Sequence, residues 1–222
     1  MINYINSSIG KKQIIGLTGI MMVFFIAIHL TGNFLIFKEP DAINEYSVFL
    51  HDLGFLLWIA RIGLILTFFL HFGLTARLVI ENKRARETSY KGPVVLKKRS
   101  FSTRVMPYTG TILLSYIVLH LFDFTFTSPS LLNATVNGEM LGLYGLIYNS
   151  FLNPLRVIFY VLAMFSLGFH LTHGIQSFVQ TMGAVSMKGL IQWKRFAVML
   201  GLFFSIAYSS IPFYILYIHY VK

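Results

Sequence analysis

Five of the seven histidines lie inside long apolar stretches, where ionisable side chains are rare and usually functional. A single histidine in such a stretch could simply hydrogen-bond across helices, but four successive stretches each carry one or two. The chain has no cysteine, which excludes disulfides and thiolate-bound metal clusters. Any redox centre must therefore be held by histidine or methionine. The five histidines are His29, His71, His120, His170 and His173.

The elements that carry these histidines are predicted to be membrane-spanning helices. Of the 222 residues, 56% are hydrophobic and 12% are charged, against about 25% charged in soluble domains, which excludes a soluble globular protein. Apolar runs of 18 or more residues predict spanning helices. Five such runs fill the chain, at about 14–37, 54–80, 106–126, 154–182 and 196–220. We therefore predict an all-α integral membrane protein with one transmembrane domain over residues 1–222.

The positive charges predict the orientation of these spans. The net charge is +10, and most of the basic residues lie on one side of the predicted bundle: Lys11, Lys12, the connection 83–104, Lys188, Lys194 and Arg195. This bias predicts a cytoplasmic N-terminus and an external C-terminus. The basic connection has two interpretations: a topology signal with attraction to anionic lipid, or a docking surface for a cytoplasmic partner.

The depths of the histidines in the spans predict two layers. At a rise of about 1.5 Å per residue, His29 and His120 lie about 21–23 Å from the cytoplasmic side. His71, His170 and His173 lie about 12–16 Å from it. Paired imidazoles at two depths in antiparallel helices are the arrangement that two bis-histidine haems b require. The first four spans are therefore predicted to form a haem-binding bundle.

Three glycines near these histidines have two interpretations. Gly32, Gly73 and Gly174 could leave room for the edge of a porphyrin, or they could let membrane helices approach one another. Span five has no histidine until His219 at its outer end. We expect span five to cover the bundle without ligating anything.

The chain resembles a known family. The likeness is carried by one histidine in each of the first four spans and by the stretches LYGLIYNSFLNP (143–154) and FHLTHGIQSFVQTMG (169–183). These features are similar to the five-span, two-haem cytochrome b anchor of succinate:menaquinone oxidoreductases and quinol:fumarate reductases. In that family spans one and three share one haem and spans two and four share the other. The resemblance implies haem iron ligands at His29, His120, His71 and His170.

The resemblance also implies partners and a location. It implies two haems b, exchange of electrons with a quinone of the menaquinone type, and a flavoprotein and an iron–sulfur subunit bound at the cytoplasmic face of a bacterial cytoplasmic membrane. The chain has no dinucleotide fingerprint and no cysteine cluster. We therefore expect it not to catalyse succinate or fumarate chemistry by itself, but to act as the electron-transfer and quinone-reactive subunit of the complex.

Span four offers two candidate ligands, His170 and His173. A ligating imidazole usually donates its second N–H to an oxygen that fixes the ring, and in a helix that oxygen could lie four residues earlier. His71 has Thr67 and His170 has Ser166 at this offset, whereas Phe169 precedes His173. We therefore favour His170, with His173 as the alternative.

Protonatable residues on the external side are candidates for a quinone site. Glu45, His51 and Asp52 precede span two near the outer histidine layer, and quinone chemistry needs a protonatable group within reach. A solvated loop is the alternative interpretation.

The competing functions are the cytochrome b anchor of a hydrogenase or formate dehydrogenase, which fits the regular histidine order less well, and a haem-free transporter with a histidine proton relay.

Overall fold

The computed structural model describes residues 4, 7–84, 101–126, 134–136, 138–183 and 185–221. Its helices are α1 (Ser8–Asn33), α2 (Pro40–Asp52), α3 (Phe55–Arg84), α4 (Phe101–Phe124), α5 (Gly142–Phe151), α6 (Pro154–Met182) and α7 (Met187–Tyr220). A 3-10 turn, Phe34–Phe37, continues α1, and two short antiparallel strands, β1 (Thr135–Val136) and β2 (Glu139–Met140), precede α5.

Five of these helices are long and apolar enough to cross a membrane. They are α1, α3, α4, α6 and α7, which we continue to call spans one to five. The protein is therefore an all-α, multi-pass membrane protein, and the predicted number of spans is confirmed. Span four has the predicted bounds, Pro154–Met182, because it is capped by the Asn153 side chain at its start and by Gly183 in the left-handed conformation, φ 67°, at its end.

Spans one and five begin earlier than their apolar runs. Span one begins at Ser8, where the Ser7 side chain accepts a hydrogen bond from the Gly10 amide. The α7 helix begins at Met187, capped in the same way by Ser186. Hydropathy marks only the part of a helix that fits the hydrocarbon, so these polar first turns lay outside the predicted ranges.

Lys11 shows how a charge is accommodated in the extended start of span one. Its side chain is only 5% exposed, and its Nζ lies 2.6 Å from a carboxylate oxygen of Glu81 in span two. Arg77 pairs with the same carboxylate at 2.9 Å. These contacts join the N-terminal end of span one to the C-terminal end of span two.

The connections between spans one and two and between spans three and four pack on the bundle. Six of the ten residues of α5 are buried, and Asn44 of α2 binds the backbone of Leu141 and Tyr144 at its start. Burial raises the pKa of Tyr144 above its ordinary value. The apolar stretch that contains α5 thus forms a helix that contributes to the protein core. The basic connection falls mostly on residues 85–100, outside the described residues.

Span four packs against spans one, three and five. Span one packs on spans two and four, span three packs on span four, and spans four and five form the most extensive contact. Over their described residues, spans one and three are not closely packed on each other, and neither are spans two and four. Side chains directed across the bundle therefore meet in its middle.

Candidate functional site

The first histidine pair, His29 and His120, joins spans one and three. Their ring centroids are 5.9 Å apart and the ring planes are nearly perpendicular, at 85°. Phe25 stacks on His29 at 5.4 Å, and Tyr116 stacks on His120 at 5.5 Å. Tyr208 of span five lies 6.4 Å from the His29 ring. We call His29 and His120 the outer pair.

The second pair, His71 and His170, joins spans two and four. Their ring centroids are 6.4 Å apart with an interplanar angle of 54°. Among the described residues, His173 makes no comparable ring contact with His71. The structure thus brings together two histidines from each of the two depth groups, and in the inner group it brings His170 to His71. We call His71 and His170 the inner pair.

Hydrogen bonds fix which nitrogen of His71 carries the proton. Its Nδ1 lies 3.0 Å from the backbone oxygen of Ile15 and 3.2 Å from Oγ1 of Thr18. A carbonyl oxygen can only accept, so Nδ1 of His71 donates. The Thr18 hydroxyl donates to Ile14 or Ile15 of its own helix, which leaves its oxygen as an acceptor. Nε2 of His71 is then the nitrogen with a free lone pair.

The same logic applies to His170. Its Nδ1 lies 3.4 Å from Oγ1 of Thr109 in span three. With the Thr109 hydroxyl donating to the backbone oxygen of Met106 at 3.0 Å, its oxygen is left to accept from Nδ1–H of His170. In this arrangement both histidines of the inner pair keep Nε2 available to a metal.

The predicted source of these orienting oxygens was wrong. The sequence predicted these oxygens four residues earlier in the same helix, at Thr67 and Ser166. The Ser166 hydroxyl instead donates to Leu162 of its own helix, and the oxygens near Nδ1 of the inner pair come from the neighbouring odd-numbered spans. A hydroxyl inside a helix usually bonds a carbonyl one turn back, which turns it away from a ring on the next turn.

His120 differs from the inner pair in its second nitrogen. Its Nδ1 is buried and has no hydrogen-bond partner among the described residues. A buried polar atom without a partner is rare in folded proteins. The outer pair is thus held by aromatic stacking on both rings, and the inner pair by hydrogen bonds.

The glycines near the histidines divide into two groups. A Cβ at Gly19 would lie 3.3 Å from Cε1 of His71, and one at Gly110 would lie 3.8 Å from Cε1 of His170. These two glycines directly follow the orienting threonines. Of the three predicted glycines, Gly174 has open space around it, whereas the space at Gly32 is filled by Tyr46 and Gly73 is exposed. Gly73 lies about 200° around the helix from His71, so it does not face the inner pair.

A short repeat in spans one and three went undetected in the sequence. The pattern Thr-Gly-x9-His occurs at residues 18–29 and again at residues 109–120. In both copies the threonine contacts the inner pair and the histidine belongs to the outer pair. Aligning the odd-numbered spans on their histidines would have revealed it.

This repeat also sets the distance between the layers. Eleven residues of helix separate each threonine from its histidine, which is about 16 Å at 1.5 Å per residue. The sequence-based depths implied a smaller separation because they were counted from the ends of the apolar runs. The helices continue beyond those ends, to Ser8 in span one and Arg84 in span two.

The candidate quinone residues lie on the surface helix α2. Glu45, His51 and Asp52 are all exposed, and Nδ1 of His51 bonds the backbone oxygen of Ser47 at 2.7 Å. Within the described part of the chain they line neither of the two cavities given below, and their role remains a prediction.

A polar cluster beside the outer pair was missed by the sequence argument. Asp123 is 7% exposed, accepts a hydrogen bond from the Tyr160 hydroxyl at 2.7 Å, and pairs with Arg156 at 3.1 Å. Asp123 and Arg156 line a cavity of about 260 Å³, and the Tyr160 ring lies 6.4 Å from that of His120. The sequence signal that could have revealed this cluster was an acidic residue one turn after a histidine of a span.

A larger apolar cavity, about 530 Å³, lies between Phe37, Phe165 and span five.

Comparisons with protein-family models, with curated proteins and with solved structures find no match to this chain. The functional assignment therefore rests on the residues and the geometry of the site.

Proposed function

We propose that this protein is the membrane-anchor cytochrome b subunit of a succinate:quinone oxidoreductase, either a succinate dehydrogenase or a fumarate reductase. In this proposal it carries electrons between an iron–sulfur partner and a membrane quinone through two bis-histidine haems b. The observation that carries the proposal is the pair of histidine pairs, one joining spans one and three and one joining spans two and four.

The spacing of the rings fits axial ligation. Two imidazoles bonded to one metal ion from opposite sides, at about 2 Å per bond, have ring centroids roughly 6 Å apart. The two pairs have centroids 5.9 and 6.4 Å apart. Each ring plane contains the line of its metal–nitrogen bond, and each ring can rotate about that line. Interplanar angles of 85° and 54° are therefore both compatible with axial ligation.

The number of ligands favours haem over a simple metal ion. Among the described residues, no group of three or more His, Cys, Asp or Glu side chains is positioned to hold a metal. Protein sites for zinc use three or four side-chain ligands, whereas a porphyrin supplies four nitrogens itself and needs two axial ligands at most. Haem iron supplies one-electron exchange when bound.

The residues of the chain have separate roles in this proposal. His29 and His120 would hold one haem, and His71 and His170 the other. The inner pair would bind through Nε2, because Nδ1 of each ring is hydrogen-bonded to a neighbouring helix. Apolar and aromatic side chains around the outer pair limit the access of water. The low local dielectric constant would influence the redox potential of a haem held there. His173, half-buried one turn from His170, remains the alternative ligand.

The orientation and partners are part of the same proposal. The positive-inside bias favours an orientation with the N-terminus and the inner pair toward the cytoplasm. A flavoprotein and an iron–sulfur subunit would dock there, and the quinone, of the menaquinone type, would react near one of the layers. The membrane would be the bacterial cytoplasmic membrane.

A haem-free proton relay receives less support. A relay needs hydrogen-bonded neighbours or water between them. Within the described residues, the two rings of each pair are not hydrogen-bonded to one another, and Nδ1 of each inner histidine is directed to a neighbouring helix.

Haem content tests the proposal directly. We expect two haems b per purified chain, all extractable with acid acetone because no cysteine is present to attach them. His29→Ala and His71→Ala should each lose one haem. His219→Ala should keep both, because His219 lies at the far end of span five and bonds the Tyr148 hydroxyl.

Two results would contradict the proposal. A stoichiometry of one haem or none in the native chain would remove the two-haem assignment. Copurification with a hydrogenase or formate dehydrogenase, in place of a flavoprotein and an iron–sulfur protein, would favour the competing cytochrome.

A further inference from the structure

We propose that Thr18 and Thr109 are positioning residues that fix the protonation pattern of the inner pair. The inference rests on the proposed function, since the group that the inner pair would hold is a haem. Its observations are the two threonine–histidine contacts and the repeat Thr-Gly-x9-His that contains both threonines.

The spacing of the repeat places both of its polar residues on one face of the helix. Eleven residues correspond to about three turns, so the threonine and the histidine return to nearly the same side. Thr18 and Thr109 meet the inner pair, and His29 and His120 meet each other about 16 Å away. One face of each odd-numbered span therefore contributes to both layers.

Each threonine acts through the direction of its hydroxyl hydrogen. The Thr18 and Thr109 hydroxyls both donate to carbonyls of their own helix. Their oxygens can then only accept from Nδ1–H of His71 and His170. This arrangement selects the tautomer in which Nε2 is the free nitrogen, and it raises the basicity of that nitrogen as a ligand.

The two histidines of the inner pair differ in the number of oxygens that contact Nδ1. Nδ1 of His71 has the backbone oxygen of Ile15 at 3.0 Å in addition to Thr18. For Nδ1 of His170, Thr109 is the partner that the described residues provide. Removal of the Thr109 hydroxyl should therefore disturb the inner site more than removal of the Thr18 hydroxyl.

The test compares isosteric variants in the native complex. Thr109→Val removes the hydroxyl with little change of volume, and Thr109→Ser restores it. Thr111→Val is the matched control, because the Thr111 hydroxyl is exposed and donates to the backbone oxygen of Pro107 in its own helix. The measurements are haem transfer to apomyoglobin and a spectroscopic redox titration that resolves the two haems.

For Thr109→Val we expect the inner haem to bind about 10- to 100-fold more weakly, the range for loss of a partner that orients a ligand. Its midpoint potential should shift to a more positive value, because a less basic ligand stabilises the ferric state less. Thr18→Val should shift in the same direction by a smaller amount. The outer haem, Thr111→Val and Thr109→Ser should match the native protein.

The outcomes separate this inference from the proposed function. A native chain without haem would remove the proposed function. A native chain with two haems, together with a Thr109→Val variant that matches Thr111→Val in affinity and potential, would overturn only the positioning role. A shift in the outer haem alone, or a Thr109→Ser variant as impaired as Thr109→Val, would also overturn it.

Discussion

A histidine binds a metal through one nitrogen and is held in place through the other. In the inner pair, both Nδ1 atoms are engaged by oxygens of neighbouring helices. In the outer pair, Nδ1 of His120 is buried without a partner in the described chain, and the rings stack on Phe25 and Tyr116. The ring planes of the inner pair are thus restrained by directional hydrogen bonds, and those of the outer pair by packing.

The choice between His170 and His173 is decided by single substitutions. We expect His170→Ala to lose the inner haem, because the His170 ring lies 6.4 Å from that of His71 and its Nδ1 meets Thr109. His173→Ala should retain both haems, since His173 makes no ring contact with His71 among the described residues. Haem stoichiometry of the two purified variants is the measurement.

Each of these two variants is the control for the other, because both remove one imidazole from the same helix. Loss of a haem in His173→Ala, with both haems retained in His170→Ala, would reverse the ligand assignment. Double loss in His170→Ala would indicate that this substitution disturbs the bundle as a whole.

The sequence predicted which histidines meet, but it did not predict what orients them. Regular occurrence in four spans and similar depth grouped His29 with His120, and His71 with both His170 and His173, but depth did not choose between the last two. The orienting oxygens depend on which helix faces which, and the periodicity of one helix carries no such information. Thr67 and Ser166 were favoured on local spacing, whereas Thr18 and Thr109 lie 53 and 61 residues from the rings they contact.

At the scale of elements, spans four and five approach closely through small residues. A Cβ at Gly201 would lie 2.5 Å from the backbone oxygen of Gly168 and 2.7 Å from Oγ1 of Thr172. The Ser205 hydroxyl bonds the backbone oxygen of Met164 across the same contact at 2.9 Å. Membrane helices without a hydrophobic driving force associate through such close packing. Span five thus braces the helix that carries His170.

Alanine substitution at two glycines should give opposite changes in stability. Gly201→Ala should destabilise the protein by about 1–3 kcal/mol, because its Cβ would overlap backbone that cannot move aside. Gly63→Ala, in span two, meets nothing within 4 Å and should stabilise the helix by up to about 1 kcal/mol, the difference in helix propensity. Unfolding in mixed detergent micelles measures both.

Gly63→Ala also shows whether the assay responds to helix propensity alone. Equal destabilisation by the two substitutions would mean that neither effect comes from contact between spans. No effect of Gly201→Ala would mean that spans four and five separate easily at this point.

At the scale of the whole molecule, hydropathy predicted the number of spans because a membrane allows few alternatives to helices that satisfy their own backbone. It predicted the ends less well. Lys11 was counted only as a topology signal, but its buried ammonium also pairs with the partly exposed carboxylate of Glu81 and joins the ends of spans one and two. The packed layer of α2 and α5 at one end of the bundle depends on contacts such as Asn44 with Leu141. These contacts join residues 97 positions apart and leave no local pattern in the sequence.

The orientation of the whole molecule can be measured with single cysteines, because the native chain contains none. Glu39→Cys lies in the connection between spans one and two, and Lys194→Cys lies near the start of span five; both native residues are exposed. The positive-inside bias predicts that a membrane-impermeant maleimide labels Glu39→Cys in intact cells, and Lys194→Cys only after permeabilisation. The cysteine-free parent provides the background. The reverse pattern would turn the inner pair toward the outside and remove the cytoplasmic docking face on which the proposed assembly with an iron–sulfur subunit depends.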